Sequence, residues 1–210
     1  MDVAPPRERM FNVPRIVLAL AALLIVIHLT LTYFLTIEQA NRLLAQFAFS
    51  PLRYEDMIPP GLPNWWGPRI WSFVTYAFFH ADFNHLIFNL VWLFAFGPPI
   101  ARRFGVLRFL AFCAATAAAG ALAHLVTHLG QFAPMIGASA AISGAMAAAM
   151  RFVFQRGGPL GLLGSGEQES YHVPAAPLAT MLRDPRILAF LAVWFGINLL
   201  FGIGAVQMRR

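Results

Sequence analysis

The sequence predicts an all-α bundle of membrane-spanning helices, and two observations carry this prediction. The 210 residues are 59% hydrophobic and only 11% charged, with a mean hydropathy of +0.66. A soluble domain carries roughly 25% charged residues, so the composition excludes that class. The hydrophobic residues also gather into five segments, and a spanning helix needs about 20 residues. The predicted spans are residues 16–35, 84–100, 107–128, 138–154 and 187–203.

The basic residues predict how these helices are oriented. All fifteen basic residues are arginines, and most lie between the apolar segments, where they set topology and contact anionic headgroups. The basic balance therefore indicates a lipid bilayer and no nucleic acid as partner. With residues 1–15 as a cytoplasmic tail and residues 16–210 as the membrane domain, ten arginines fall inside and five outside. We expect an integral protein of a bacterial inner membrane with a cytoplasmic N-terminus.

The connection between the first two spans, residues 36–79, is too long to be a simple connector. It contains Trp65, Trp66 and Trp71, and tryptophan is enriched at the membrane–water interface. We expect a structured element that lies partly in this interface. The single cysteine, Cys113, lies in an apolar run and excludes an intrachain disulfide.

Ser139 lies in a run of small residues that opens the fourth predicted span. Backbone N–H groups in the first turn of a helix lack intrahelical partners and carry partial positive charge. The backbone around a serine at this position can therefore stabilise the oxyanion that forms when the serine acts as a nucleophile. Two structural interpretations remain open, because small residues also allow close helix packing in membranes and serine is a common N-cap.

His85 and Asn89 are four residues apart on the second predicted span, so they share one face of a helix. Polar side chains within a span face the protein interior or a water-filled cavity, and both residue types donate hydrogen bonds to a developing oxyanion. The alternatives are hydrogen bonds that tie helices together, or a metal site that includes His80. The five-residue spacing of His80 and His85 does not match one helical face, and no HExxH motif is present. We expect no metal and no cofactor.

The other histidines offer no clear partner for Ser139. His124 and His128 are four residues apart near the outer end of the third span, which is typical of interfacial histidines. Their spacing alone leaves open that one of them serves as a base. His28, in the first span, and His172, in an inner loop, belong to no motif.

Taken together, these residues resemble the rhomboid family of intramembrane serine proteases. The family pattern of two histidines and an asparagine reads His80, His85 and Asn89 here, and the family's Gly-x-Ser-Gly reads Gly137-Ala138-Ser139-Ala140. The similarity extends over about residues 69–204. It implies that Ser139 is the nucleophile and that His85, Asn89 and the Ser139 backbone N–H hold the oxyanion, with His80 in a supporting role.

The chain departs from the family pattern in two ways. Ala140 replaces the second glycine of the serine motif. The family's general base is a histidine on a sixth helix, in an Ala-His-x-x-Gly-like motif, and neither that motif nor a sixth span is found in the 210 residues. The expectation is therefore a rhomboid-like fold with five of six core helices and impaired catalysis, because a serine without a base is a weak nucleophile.

The resemblance implies an intramembrane serine endopeptidase that cleaves single-span membrane proteins. The alternative is a non-catalytic rhomboid-like binder of membrane clients. A metal-dependent transporter or sensor built on His80, His85, His124 and His128 is a third and more distant alternative. The sequence predicts neither the identity of a substrate nor an oligomeric state.

Overall fold

The computed structural model describes residues 13–55, 58, 60–63, 65–160 and 168–207, with backbone alone for residues 197–207. Helices and turns make up the described chain, which confirms the prediction of an all-α bundle. The α-helices are α1 (Arg15–Leu29), α2 (Ile37–Phe47), α3 (Trp66–Thr75), α4 (Phe83–Phe104), α5 (Val106–Thr127), α6 (Ser139–Met150), α7 (Leu178–Met181) and α8 (Pro185–Gln207).

Three helices of the described chain are long and apolar enough to cross a membrane. The first is α1 with the π-helical turn that continues it, Arg15–Phe34, and the others are α4 and α5, at 22 residues each. Their bounds lie within a few residues of the predicted spans, apart from four extra residues at the end of α4. Pro98 and Pro99 lie inside α4 without ending it.

The fourth apolar segment forms a shorter helix than expected. Helix α6 has 12 residues and ends at Met150, whereas the predicted span extends to residue 154. The carbonyl of Arg151 accepts a hydrogen bond from the N–H of Ala176 at 2.7 Å, and the Arg151 side chain donates to the carbonyl of Ala176 at 3.0 Å. This exchange takes the Arg151 carbonyl away from the helical pattern. Residues 151–160 consequently form a series of turns.

The first connection is structured, with α2, the 3-10 turn Pro51–Tyr54 and α3. Thr36 and Gln39 form a capping box at the start of α2. The last carbonyls of a helix have no intrahelical partners. In α2 they accept side-chain donors instead, which pins the helix to the segments that follow it. The donors are Arg53 to Ala45 and, at 3.1 Å, to Ala48; Trp71 to Gln46 at 2.9 Å; and Thr75 to Phe47 at 2.8 Å.

The chain divides into two compact units, residues 1–147 and residues 148–210. In the first unit α1 packs on α4, and α3 packs on α5. The buried Tyr76 donates its hydroxyl to the carbonyl of Ala117 at 2.9 Å, and burial raises the pKa of Tyr76 to about 12, so this donor stays neutral. An apolar cavity of about 110 Å³ lies between the helices of this unit.

The second unit contains the end of α6, the turns that follow it, α7 and α8. Asp184 precedes α8 and accepts two hydrogen bonds from the Arg186 side chain, at 3.1 and 2.7 Å. The same guanidinium lies 5.6 Å from the ring centre of Phe154. These contacts fix the start of α8 within its own unit.

Candidate active site

His85 lies in the first turn of α4, where its position is set by a helix cap. The Asp82 carboxylate accepts a hydrogen bond from the His85 backbone N–H at 2.8 Å, as an N-cap residue does. Asn89 lies one turn further on and is buried, and its side-chain amide donates to the carbonyl of His85 at 2.8 Å. The helix therefore places both side chains on one face, as their spacing predicts.

His80 does not belong to α4, because the helix begins three residues after it. It is nevertheless buried, and its ring centre lies 5.1 Å from that of His85 with the two planes at 72°. Contact between the two imidazoles thus arises from the turn before α4 rather than from a shared helical face.

The segment that leads to Ser139, residues 128–138, is called here the serine loop. Gly137 has a φ of 115°, which L side chains rarely adopt, and its N–H donates to the backbone carbonyl of Tyr76 at 3.1 Å. A Cβ atom at Gly137 would lie 2.6 Å from Nε2 of His85. The imidazole of His85 therefore rests directly against the backbone two residues before Ser139.

Ser139 is the first residue of α6, and its side chain is exposed. The helix starts there because the carbonyl of Ala138 accepts the N–H of Ile142 at 3.0 Å. In the described part of the chain, no hydrogen bond joins the Ser139 hydroxyl to another side chain or to the backbone. The structure thus brings the loop of Ser139 against His85, whereas the hydrogen bond of Asn89 stays within α4.

Besides the Gly137–Tyr76 hydrogen bond, the serine loop is attached to the first connection and to α5 at three further points. Phe49 and Met135 exchange two backbone hydrogen bonds, at 3.1 and 2.8 Å. The N–H of Gly130 donates to the carboxylate of Glu55 at 2.9 Å. Nε2 of His124 lies 2.8 Å from the carbonyl of Ala133. The sequence reasoning missed these partners, because contacts between residues as distant as Glu55 and Gly130 leave no local pattern.

His124 contributes to this attachment through one ring nitrogen, which leaves only Nδ1 able to act as a base. A carbonyl oxygen only accepts, so Nε2 of His124 must carry the proton that it donates to Ala133. The ring of His128 stacks on that of His124 at 4.2 Å, and its Nδ1 lies 2.9 Å from the Thr127 hydroxyl. Within the described ranges, no group of three or more His, Cys, Asp or Glu side chains is arranged to hold a metal ion.

Ala140, which departs from the expected glycine, lies at a close contact between α6 and α5. A Cβ atom at Gly120 would lie 2.5 Å from the Cβ of Ala140. At this contact the glycine is therefore on α5 and the alanine on α6. Four residues further along α6 the glycine is on α6 instead, since a Cβ atom at Gly144 would lie 2.4 Å from Cγ2 of Thr116 on α5. Such contacts allow helix backbones to pack closely.

Comparisons with known proteins agree on one family. Residues 67–207 match the family model described as the rhomboid domain. The chain is 26% identical over 134 residues to the rhomboid protease GlpG of Haemophilus influenzae, which is 62% of this chain and 60% of that protein. It is 36% identical over 74 residues to the putative rhomboid protease YdcA of Bacillus subtilis, which is 35% of this chain and 37% of YdcA.

A third similar protein is the mitochondrial RHOMBOID-like protein 12 of Arabidopsis thaliana, at 36% identity over 67 residues. That match covers 32% of this chain and 20% of the plant protein. The chain therefore spans less than two thirds of the length of each of these relatives.

Proposed function

The chain belongs to the rhomboid family, and we propose that it is an intramembrane serine endopeptidase in which Ser139 is the nucleophile. The observation that carries this proposal is the contact between the His85 imidazole and Gly137. Nε2 of His85 lies so close that a Cβ atom placed on Gly137 would be only 2.6 Å from it. It joins the two motifs, which are far apart in sequence, at the backbone beside the serine.

The proposed reaction is acyl transfer from a peptide bond. Oγ of Ser139 attacks the carbonyl carbon of the substrate, and the hydroxyl proton passes to a general base. The backbone N–H of Ser139 and the side chains of His85 and Asn89 donate hydrogen bonds to the oxyanion that forms. Collapse of this intermediate releases the amine with a proton, and water then hydrolyses the acyl-enzyme.

The general base is the unassigned part of this mechanism. Nε2 of His124 donates to the carbonyl of Ala133, so only its Nδ1 could accept a proton, and the Ser139 hydroxyl has no hydrogen-bond partner in the described part of the chain. We therefore propose that the 210 residues by themselves have reduced activity. In subtilisin, removal of the base histidine costs on the order of 10⁶ in turnover.

The substrates that we propose are single-span membrane proteins, which a site built into a helical bundle meets within the bilayer. We place the protein in a bacterial inner membrane with a cytoplasmic N-terminus. The alternative function is a binder of membrane clients without catalysis. The unpartnered hydroxyl of Ser139 is the observation that favours this alternative.

Labelling with a fluorophosphonate probe in detergent tests the proposal. We expect slow covalent labelling of the wild type, in keeping with the reduced activity proposed above, and none of Ser139→Ala. Ser143→Ala is the matched control, because it removes a serine one turn along the same helix and should keep the label. Absence of labelling in folded wild type would reject activation of Ser139 in these 210 residues and favour the client binder.

A further inference from the structure

Three imidazoles from separate parts of the first unit lie close enough to one another for their charges to interact. His85 belongs to the first turn of α4, His80 to the turn before it, and His28 to the C-terminal half of α1. The His80 and His85 rings are 5.1 Å apart, and the His28 ring meets the edge of Phe83, the first residue of α4, at 4.6 Å. His28 belongs to no motif of the family that the sequence resembles.

The burial of two of these rings is unusual for polar groups. His28 is 4% and His80 is 6% exposed, and none of their four ring nitrogens has a hydrogen-bond partner among the described residues. Buried polar atoms are almost always hydrogen-bonded, because an unpaired one costs about 1–3 kcal/mol. A small rotation of His80 or His85 would pair a nitrogen of one ring with the other, since one neutral imidazole both donates and accepts. A buried water is the usual partner for nitrogens that no side chain reaches, such as those of His28.

The charge state of His80 is compatible with such pairing. Burial, followed by the proximity of His85 and then His28, lowers the pKa of His80 to about 3, against an opposing effect of the Asp82 carboxylate. A lowered histidine pKa means that the charged form is disfavoured, so His80 is neutral above pH 3. A neutral imidazole carries one N–H, and the partner of its other nitrogen decides which nitrogen holds it.

We propose that His28 is a positioning residue that fixes the tautomer of His85 through His80. In this row of three imidazoles an N–H of His28 donates to a buried water that donates to His80, and the other nitrogen of His80 donates to Nδ1 of His85. Nδ1 of His85 is then an acceptor, so its proton is on Nε2, the nitrogen that faces Gly137. The functional role of this row of imidazoles rests on the proposed function, because the Nε2–H of His85 is the group that would donate to the oxyanion.

Nitrogen-15 NMR of histidine-labelled protein in detergent determines which nitrogen of each imidazole carries the proton, and it does not require an active enzyme. In the wild type we expect His85 in a single tautomer protonated at Nε2, and a scalar coupling across the hydrogen bond between His80 and His85. We expect His28→Phe to convert the His80 and His85 signals to averaged tautomers. His28→Gln should preserve them, because its amide still donates.

His128→Phe is the matched control, since it also replaces an imidazole by a phenyl ring but lies outside the row. A His85 tautomer that is unchanged in folded His28→Phe would overturn the proposal. So would a wild type in which Nδ1 of His85 carries the proton, which stands as a test even if the variants fail to fold. Loss of fluorophosphonate labelling with an intact row would instead reject the proposed protease and leave the role of His28 in place.

Discussion

At the scale of single residues, Gly137 decides how closely the two motifs of the site approach. Its φ of 115° turns the chain so that the Gly137 N–H reaches the carbonyl of Tyr76, and the missing side chain leaves room for the His85 ring. Both requirements exclude a residue with a Cβ atom. The glycine of the serine motif therefore has a physical explanation that concerns His85 as much as the backbone.

We expect Gly137→Ala to reduce fluorophosphonate labelling of Ser139 by about 100-fold, the usual effect of losing one oxyanion donor. The new methyl group would displace the His85 imidazole from the serine loop. Gly130→Ala is the control in the same loop, because its φ of 70° is also positive, although less strained for alanine, whereas the nearest atom to a Cβ there is 4.0 Å away. Equal loss of labelling in both variants would assign the effect to backbone strain and contradict the role of His85.

The sequence could predict residues whose partners are local or belong to a motif. His85 and Asn89 share a face of α4 as their spacing indicates, and Ser139 opens a helix as its small neighbours indicate. His80 lies outside the predicted span 84–100, in the turn before α4, and its contact with His85 has no signal in the helical spacing. His28 and Glu55 gave no signal beyond their polarity, because their neighbours come from distant parts of the chain.

At the scale of helices, the crossing of α5 and α6 explains how the chain tolerates Ala140. Close approach needs one small residue at the contact, and Gly120 provides it from the opposite helix. The motif position and its partner are thus coupled. A pattern read along one helix cannot reveal this, since the compensating glycine lies on the other helix.

We expect Gly120→Ala to destabilise the protein, because two Cβ atoms 2.5 Å apart would force the helices to separate. Overpacking of this kind costs about 1–3 kcal/mol. The double variant Gly120→Ala/Ala140→Gly moves the methyl group from α6 to α5 and leaves only one at the contact. Its midpoint of thermal unfolding in detergent should therefore be close to that of the wild type. Ala140→Gly alone completes the cycle, and additive effects of the two substitutions would contradict direct contact.

The serine loop gives a second prediction at this scale. Its attachment to Glu55 and His124 should hold its backbone amides in place. We expect Glu55→Ala/His124→Ala to accelerate hydrogen exchange of residues 128–137, with each single variant giving a smaller effect. Glu38→Ala is the control, because Glu38 pairs with Arg42 on α2, away from the loop. Unchanged exchange in the double variant would show that the Phe49–Met135 pair and the Gly137–Tyr76 hydrogen bond hold the loop without them.

At the scale of the whole molecule, the two ends of the long helices in the first unit carry different charges. Arg102 and Arg103 end α4, and Arg108 opens α5. The opposite ends carry both signs, with the carboxylates of Glu38, Glu55 and Asp82 and the guanidinium groups of Arg42 and Arg53. A bias of arginine towards one side sets the orientation of membrane helices, whereas acidic residues contribute little. The arginine end is therefore expected to face the cytoplasm.

Reporter fusions in a bacterial host test this orientation. We expect green fluorescence from a fluorescent protein fused after Arg103 or Arg156, and alkaline phosphatase activity from a fusion after Gln131, because each reporter works on one side of the membrane only. Replacement of Arg102, Arg103 and Arg108 by glutamine should give mixed topology, since the positive bias around the α4–α5 turn disappears. Arg42→Gln, at the other end, should change nothing. Phosphatase activity after Arg103 in the wild type would reverse the assignment and place Ser139 at the cytoplasmic side.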